Sequence, residues 1–160
     1  MNPRTPLCPP VDPARLRAVA QARVLYADTD KMGIVYHASY LRYMELGRVE
    51  FIRASGMPYT EMEKLGLALP LTDVAVQYLA PARYDDLLSI EVGLSLLTRV
   101  RVHFDYRFVV HDRRGQQEES PLAILTAQSR HACVRVAEGR PERLPAEVYE
   151  VLGNCYTPSQ

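Results

Sequence analysis

The second half of the chain alternates apolar and polar positions with a period of two. In "RVRVHFDYRFVV", Val100, Val102, Phe104, Tyr106 and Phe108 stand against Arg99, Arg101, His103, Asp105 and Arg107. "LSIEVGLSL" places Leu88, Ile90, Val92, Leu94 and Leu96 on one face, and "LTDVAVQYL" does the same with Thr72, Val74, Val76 and Tyr78. Such alternation predicts antiparallel strands with one covered and one wet face. "LAILTAQSRHACVRV" predicts a last long strand after the polar turn "DRRGQQEESP". Near the start, Ala20, Ala22, Val24 and Tyr26 suggest one more strand.

Between these lies a different period. From about His37 to Ser55, the residues Tyr40, Tyr43, Met44, Gly47, Phe51 and Ala54 recur at helical spacing and form one apolar stripe. Gly56 and Pro58 end it. A shorter helix is expected from Tyr59 to Leu65, and "PAEVYEVLG" predicts a terminal one behind Pro145. One long helix must then cover a whole antiparallel sheet, which makes the fold class α+β. The 160 residues suffice for one domain with a real core. The proline-rich start is expected to be a mobile extension over residues 1–13, with a single domain over 14–160.

Charge narrows the range of partners. The 19 basic and 19 acidic side chains cancel, which leaves no electrostatic footprint for nucleic acid or for an anionic membrane surface. No apolar run is long enough to span a bilayer. Cys8, Cys133 and Cys155 form no C-x-x-C pair, so neither a disulfide framework nor a zinc site is indicated, and a cytoplasmic location is expected.

The candidate chemistry sits in "YADTDKMGIVYHASYLRYMELGR", residues 26–48. Its D-x-D-x-x-G start resembles a calcium loop, but position five is Met32 and position twelve is Ser39, so the bidentate glutamate is missing. A transition metal held by Asp28, Asp30 and His37 is the weaker metal alternative. A hydrolytic reading fits better. A helix N-terminus offers N–H groups and positive dipole to a developing oxyanion, and an upstream carboxylate serves as base or nucleophile. Gly33 lets the chain approach a ligand closely. Taken singly, either aspartate suits a cap or a turn, and His37 an ordinary packed histidine.

"DTDKMGIVYHASYLRYMELGR" resembles the signature of the acyl-CoA thioesterases of the 4-hydroxybenzoyl-CoA thioesterase type. The "GIVYH" form is closest to the branch that includes the Tol–Pal-associated acyl-CoA thioesterase. "APARYDDLLSIEV" and "RPERLPAEV" add support, so that the resemblance spans about residues 20–150. It implies a hotdog fold, a sheet wrapped around one helix, assembled as a homodimer or homotetramer with sites between subunits. It further implies an enzyme without cofactor or metal that hydrolyses acyl-CoA, with Asp30 and His37 catalytic. Gly33, Ile34, Val35, Tyr36, Glu45 and Arg99 are the implied substrate-binding residues, Arg99 and Arg140 standing where relatives hold coenzyme A phosphates. The alternatives are a non-catalytic acyl-thioester-binding or scaffold protein on this fold and a hotdog hydratase. An intrahelical pair with Arg48 competes with a site role for Glu45.

Overall fold

The computed structural model describes residues 10–113 and 116–156. A 3₁₀ turn over Pro13–Arg15 opens the described chain, with the Ala14 N–H donating to the Asp12 carboxylate at 3.0 Å. Residues 1–9 of the expected extension lie outside the described residues.

Strand β1 (Arg17–Arg23) leads through the functional loop into helix α1 (Tyr40–Ala54), followed by α2 (Tyr59–Lys64). The strands β2 (Leu67–Ala68), β3 (Leu71–Tyr78), β4 (Leu87–Leu97), β5 (Arg101–Arg113) and β6 (Gln116–Ala132) come next. Short strands β7 (Val134–Arg135) and β8 (Arg140–Pro141) and helix α3 (Ala146–Gly153) complete the chain. Five strands form an antiparallel sheet in the order β1-β4-β5-β6-β3, and β2-β7-β8 form a small second sheet.

The α+β reading holds, with α1 packed on β1 and β4. Its buried face is Tyr40, Tyr43, Met44, Gly47, Phe51 and Ile52. Ile52 takes the place expected for Ala54, which is exposed at the last helical position. Gly47 explains how closely the helix sits. A Cβ there would stand 2.5 Å from Ile90 Cγ2 and 3.0 Å from Val92 Cγ2, so only a hydrogen fits between helix and sheet. Ile90, Phe104, Tyr106, Phe108, Ile124 and Leu125 lie beneath it, almost fully buried. Each such side chain contributes roughly 1.5–3 kcal/mol by leaving water.

Four details of the elements differ from the sequence pattern. The first strand runs three residues earlier than its alternation suggested, because Tyr26–Asp28 form a 3₁₀ turn and Tyr26 is exposed. In β4 a register irregularity between Leu94 and Leu96 shifts the face, so Leu97 is buried and Leu96 only half-buried. The polar turn shrinks, since Asp112 pairs with Gln117 and Arg113 with Gln116. The long helix begins as a 3₁₀ turn over His37–Ser39 before α1 proper.

Candidate active site

Two carboxylates leave the same short segment and reach different surroundings. Asp28 ends the 3₁₀ turn and is 3% exposed. It accepts the Leu25 N–H at 3.2 Å, the Tyr43 hydroxyl, and an ion pair from Arg42, both of the latter from the first turns of α1. Burial, and then the adjoining Asp28 carboxylate, push the Tyr43 pKa well up, so the phenol stays protonated and donates. The Asp28 carbonyl also accepts the Tyr36 N–H at 2.8 Å. Asp28 thereby ties the loop base to the helix.

Asp30 starts a tight turn. Its N–H donates to the Ile34 carbonyl at 2.9 Å, its carbonyl accepts from Gly33 at 2.9 Å, and its Oδ1 accepts the Met32 N–H at 2.8 Å. Gly33 has φ +70°, left-handed backbone that costs an L side chain roughly 1–2 kcal/mol. Apart from its chain neighbours, no atom of the described residues lies within 4 Å of where its Cβ would be. The backbone conformation, rather than crowding by the protein, is what calls for glycine. The turn is tied to the connection between β3 and β4, since Val35 donates to the Ala82 carbonyl at 2.9 Å and Ile34 bridges Arg83.

Asp30 and His37 line one cavity of about 470 Å³. Met32, Ile34 and Val35 form one side, and Tyr40, Tyr78 and the segment Leu79–Pro81 the other. His37 opens the 3₁₀ turn that runs into α1, where backbone N–H groups lack partners inside the helix. Its carbonyl accepts the Tyr78 hydroxyl at 2.9 Å, and its ring lies 4.2 Å from that of Tyr36. The Tyr40 hydroxyl accepts the Ala82 N–H at 3.4 Å, and burial pushes its pKa up to about 12. The chamber is thus largely apolar, with one carboxylate and one helix start facing it.

The other residues named from the sequence separate. Val35 is 4% exposed and belongs to the core as well as to the cavity wall, while Tyr36 is exposed. Glu45 does not reach this cavity. It is two turns of helix past His37, a rise of about 12 Å, at the mouth of a second cavity. Among the described residues it makes no ion pair with Arg48. Arg99 stacks its guanidinium on Tyr149 of α3, 4.3 Å from the ring centroid. It lies past the far end of β4 from Leu87, roughly 30 Å along the strand, and so lies away from Asp30. Arg140 pairs with Glu138 on the surface. Asp28 does not line the Asp30 cavity, so the three-ligand metal alternative is not assembled there.

Tyr40 and Tyr78 were missed as site residues. Tyr40 belonged to the apolar stripe and Tyr78 to a strand alternation, and nothing local shows that the end of β3 meets the start of α1. The second cavity, about 340 Å³, was missed for the same reason. It lies between α1 and β3, lined by Leu41, Met44, Glu45 and Arg48 on the helix side. Its floor holds Tyr106, Ser129 and His131.

Residues 24–152 match the family described as the thioesterase-like superfamily. The acyl-CoA thioesterase YbgC of Haemophilus influenzae (strain ATCC 51907 / DSM 11121 / KW20 / Rd) is 32% identical over 79% of this chain and 87% of its own length. Among solved structures, the DHNA-CoA thioesterase from Staphylococcus aureus superposes with a TM-score of 0.75 at 25% identity, covering 84% of this chain and 87% of its own. A 4-hydroxybenzoyl CoA thioesterase mutant complexed with 4-hydroxybenzoyl CoA gives 0.72 at 19% identity over 83% and 96%, a likeness of fold. The chain belongs to the thioesterase-like superfamily and is a thioester hydrolase with the hotdog fold.

Proposed function

We propose that the protein hydrolyses acyl-CoA thioesters to a free acid and coenzyme A, with Asp30 as general base or nucleophile. The observation that carries this reading is the shared cavity: one carboxylate and one helix start face an otherwise largely apolar chamber. As base, Asp30 takes a proton from water while the oxygen adds to the thioester carbon. The oxyanion is held by the backbone N–H at His37, and collapse expels the coenzyme A thiolate, which takes up the proton. As nucleophile, Asp30 attacks the thioester carbon, the C–S bond breaks and the coenzyme A thiolate leaves. Water then opens the mixed anhydride to the free acid and the restored Asp30 carboxylate, its remaining proton going to the thiolate. Asp28, already engaged by Arg42, Tyr43 and Leu25, keeps the loop in place.

Gly33, Ile34, Val35 and Tyr36 shape the approach of the thioester, and the His37 ring orients water. A homodimer or homotetramer built through β3 fits the site. This strand pairs only with β6 among the described residues, and Leu71, Val74 and Tyr78 along it are about half exposed. Tyr78 is also a wall of the cavity, so pairing there would close the site. Among the described residues no helix is long and apolar enough to cross a membrane. A cytoplasmic setting is supported by Cys133, buried and free, and Cys155, half-buried and free.

The test is release of free thiol from a panel of short, long and aromatic acyl-CoAs. Hydrolysis of at least one is expected, and of none by Asp30→Asn at comparable rate. If the protein binds acyl-CoA but hydrolyses none, it is a non-catalytic binder and the reading fails. Activity should also survive exhaustive chelation. Lasting loss that one added metal restores would remove the cofactor-free mechanism.

A further inference from the structure

The second cavity is lined by a half-buried cation, and among the described residues no buried anion stands beside it. Arg48, half-buried on α1, places its guanidinium 5.4 Å from the Tyr59 ring centroid. Its Nη1 is shut off from solvent and has no hydrogen-bond partner among the described residues. Sealed as it is, Nη1 is not the atom that meets an incoming ligand; what the cavity is offered is the charge of the Arg48 side chain that lines it, which has no ion-pair partner among the described residues.

The polar floor does not supply one. The His131 Nδ1 faces the Leu69 carbonyl at 2.9 Å and therefore carries its hydrogen there. The Nε2 then accepts the Ser129 hydroxyl at 2.9 Å, and Ser129 accepts the Tyr106 hydroxyl at 2.9 Å. Tyr106, Ser129 and His131 spend their hydrogens on one another and on the backbone. Burial holds His131 neutral, its pKa lowered to about 4. Glu45 also borders the cavity, but it is exposed and water screens it, and among the described residues it bonds to nothing on Arg48. The positive charge of Arg48 is left facing the space.

We infer that this cavity receives a carboxylate carried on the far end of the acyl group, with Arg48 as its counter-ion. The inference rests on the thioesterase reading of the neighbouring site. The two cavities stand end to end along the same elements. His37 and Tyr40 line the first and Leu41, Met44 and Arg48 the second, while β3 gives Tyr78 to the first and Val74 and Leu71 to the second. Eleven residues of helix from His37 to Arg48 rise about 16 Å, and the Arg48 side chain leans back toward the helix start. An extended chain advances roughly 1.2 Å per bond, so a half-thioester of a dicarboxylic acid with on the order of eight carbons spans the gap.

The experiment compares suberyl-CoA with octanoyl-CoA, eight carbons each, on the full-length protein, on Arg48→Met and on Glu45→Gln. Calorimetry of free suberate against octanoate gives a binding readout that needs no hydrolysis. Wild type is expected to favour suberyl-CoA in kcat/KM by roughly tenfold or more, and suberate to bind more tightly than octanoate. Arg48→Met should collapse both preferences, and Glu45→Gln, by removing the like charge at the mouth, should widen them. Equal use of the two thioesters by wild type, with no preference for suberate, overturns the carboxylate site and leaves the thioesterase reading standing. Suberate binding that depends on Arg48, with no thiol released from any acyl-CoA, does the reverse. A narrowed preference in Glu45→Gln would mark Glu45 as an aid to anion binding and overturn the assignment to Arg48 alone, whether or not Arg48→Met folds.

Discussion

Asp28 and Asp30 are two residues apart, share a side chain, and meet opposite environments. Asp28 is buried with three donors, two of them from α1. Asp30 is half-buried, spends one oxygen on the Met32 N–H, and faces a cavity. The difference follows from local geometry. The 3₁₀ turn over Tyr26–Asp28 sends the first carboxylate inward against the helix, and the tight turn closed by Gly33 turns the second toward open space. A carboxylate whose oxygens are taken up by donors from the helix and the loop makes a good strut. One with a spare oxygen beside an apolar chamber suits the chemistry.

The strongest way to break this contrast is Asp30→Asn. It keeps the shape and the acceptor for Met32 while removing the basic oxygen. We expect kcat for acyl-CoA hydrolysis to fall by roughly two to four orders of magnitude with KM and Tm changed little. Steady-state kinetics beside a thermal melt checks this. A variant that keeps most of its kcat would shift the catalytic role to another group.

How much of this contrast was legible in the sequence follows from what is local. The period-two runs gave β4 and β5, and the stripe from Tyr40 to Phe51 gave α1, because both patterns express which face is buried. The D-x-D-x-x-G-x-x-x-H stretch put Asp28, Asp30 and His37 forward, the family resemblance chose Asp30 and His37 among them, and the structure brings those two to one cavity. The role of Asp28 as turn holder was also expected. Its partners were not, because Tyr43 was read only as part of the apolar helix stripe and nothing in the sequence pattern pointed to Arg42. Glu45 and Arg99 illustrate the limit in the other direction. Helical spacing places Glu45 on the face of His37 but two turns along it, and Arg99 lies past the far end of an eleven-residue strand. Tyr78 depends on where β3 ends against α1, which is a property of the sheet order. The faults at Leu96 and in the turn around Arg113 come from register shifts that alternation alone does not encode.

Asp28→Asn should act mainly on the fold. The amide cannot match a carboxylate toward Arg42, Tyr43 and Leu25 together, although Arg42, itself largely exposed, regains water. The loss is about 1–3 kcal/mol, read as a Tm lower by roughly 3–10 °C for a chain of this size. Its kcat should stay within about tenfold of wild type. Full stability with abolished activity would reverse the assignment of the two carboxylates.

Tyr43→Phe tests the same strut from the helix side. Only one of three donors is removed and the ring remains in the core, so about 1 kcal/mol is expected, with kcat nearly unchanged. Chemical denaturation of this variant, of Asp28→Asn and of the double variant reads the coupling directly. The double variant should cost less than the sum of the two, because both break one contact. Simple additivity would show that Tyr43 acts through its packing alone.

Gly33 separates two reasons for a small residue in the loop. If the left-handed backbone is what matters, Gly33→Ala should cost about 1 kcal/mol, while Gly33→Asn costs less, since asparagine tolerates that conformation better than alanine. If close approach of the thioester is what matters, the order inverts in the kinetics. Asparagine, being larger, should then raise KM more than alanine, because a Cβ at this position has open space beyond its chain neighbours among the described residues and the side chain extends into the space a ligand would use. Denaturation and steady-state measurements on both variants distinguish the cases. We expect alanine to be the less stable of the two and asparagine to have the higher KM, which would place both constraints on one residue. A KM equal to wild type in both variants would restrict Gly33 to the turn and leave Asp30 and His37 as the parts of this loop that meet the substrate.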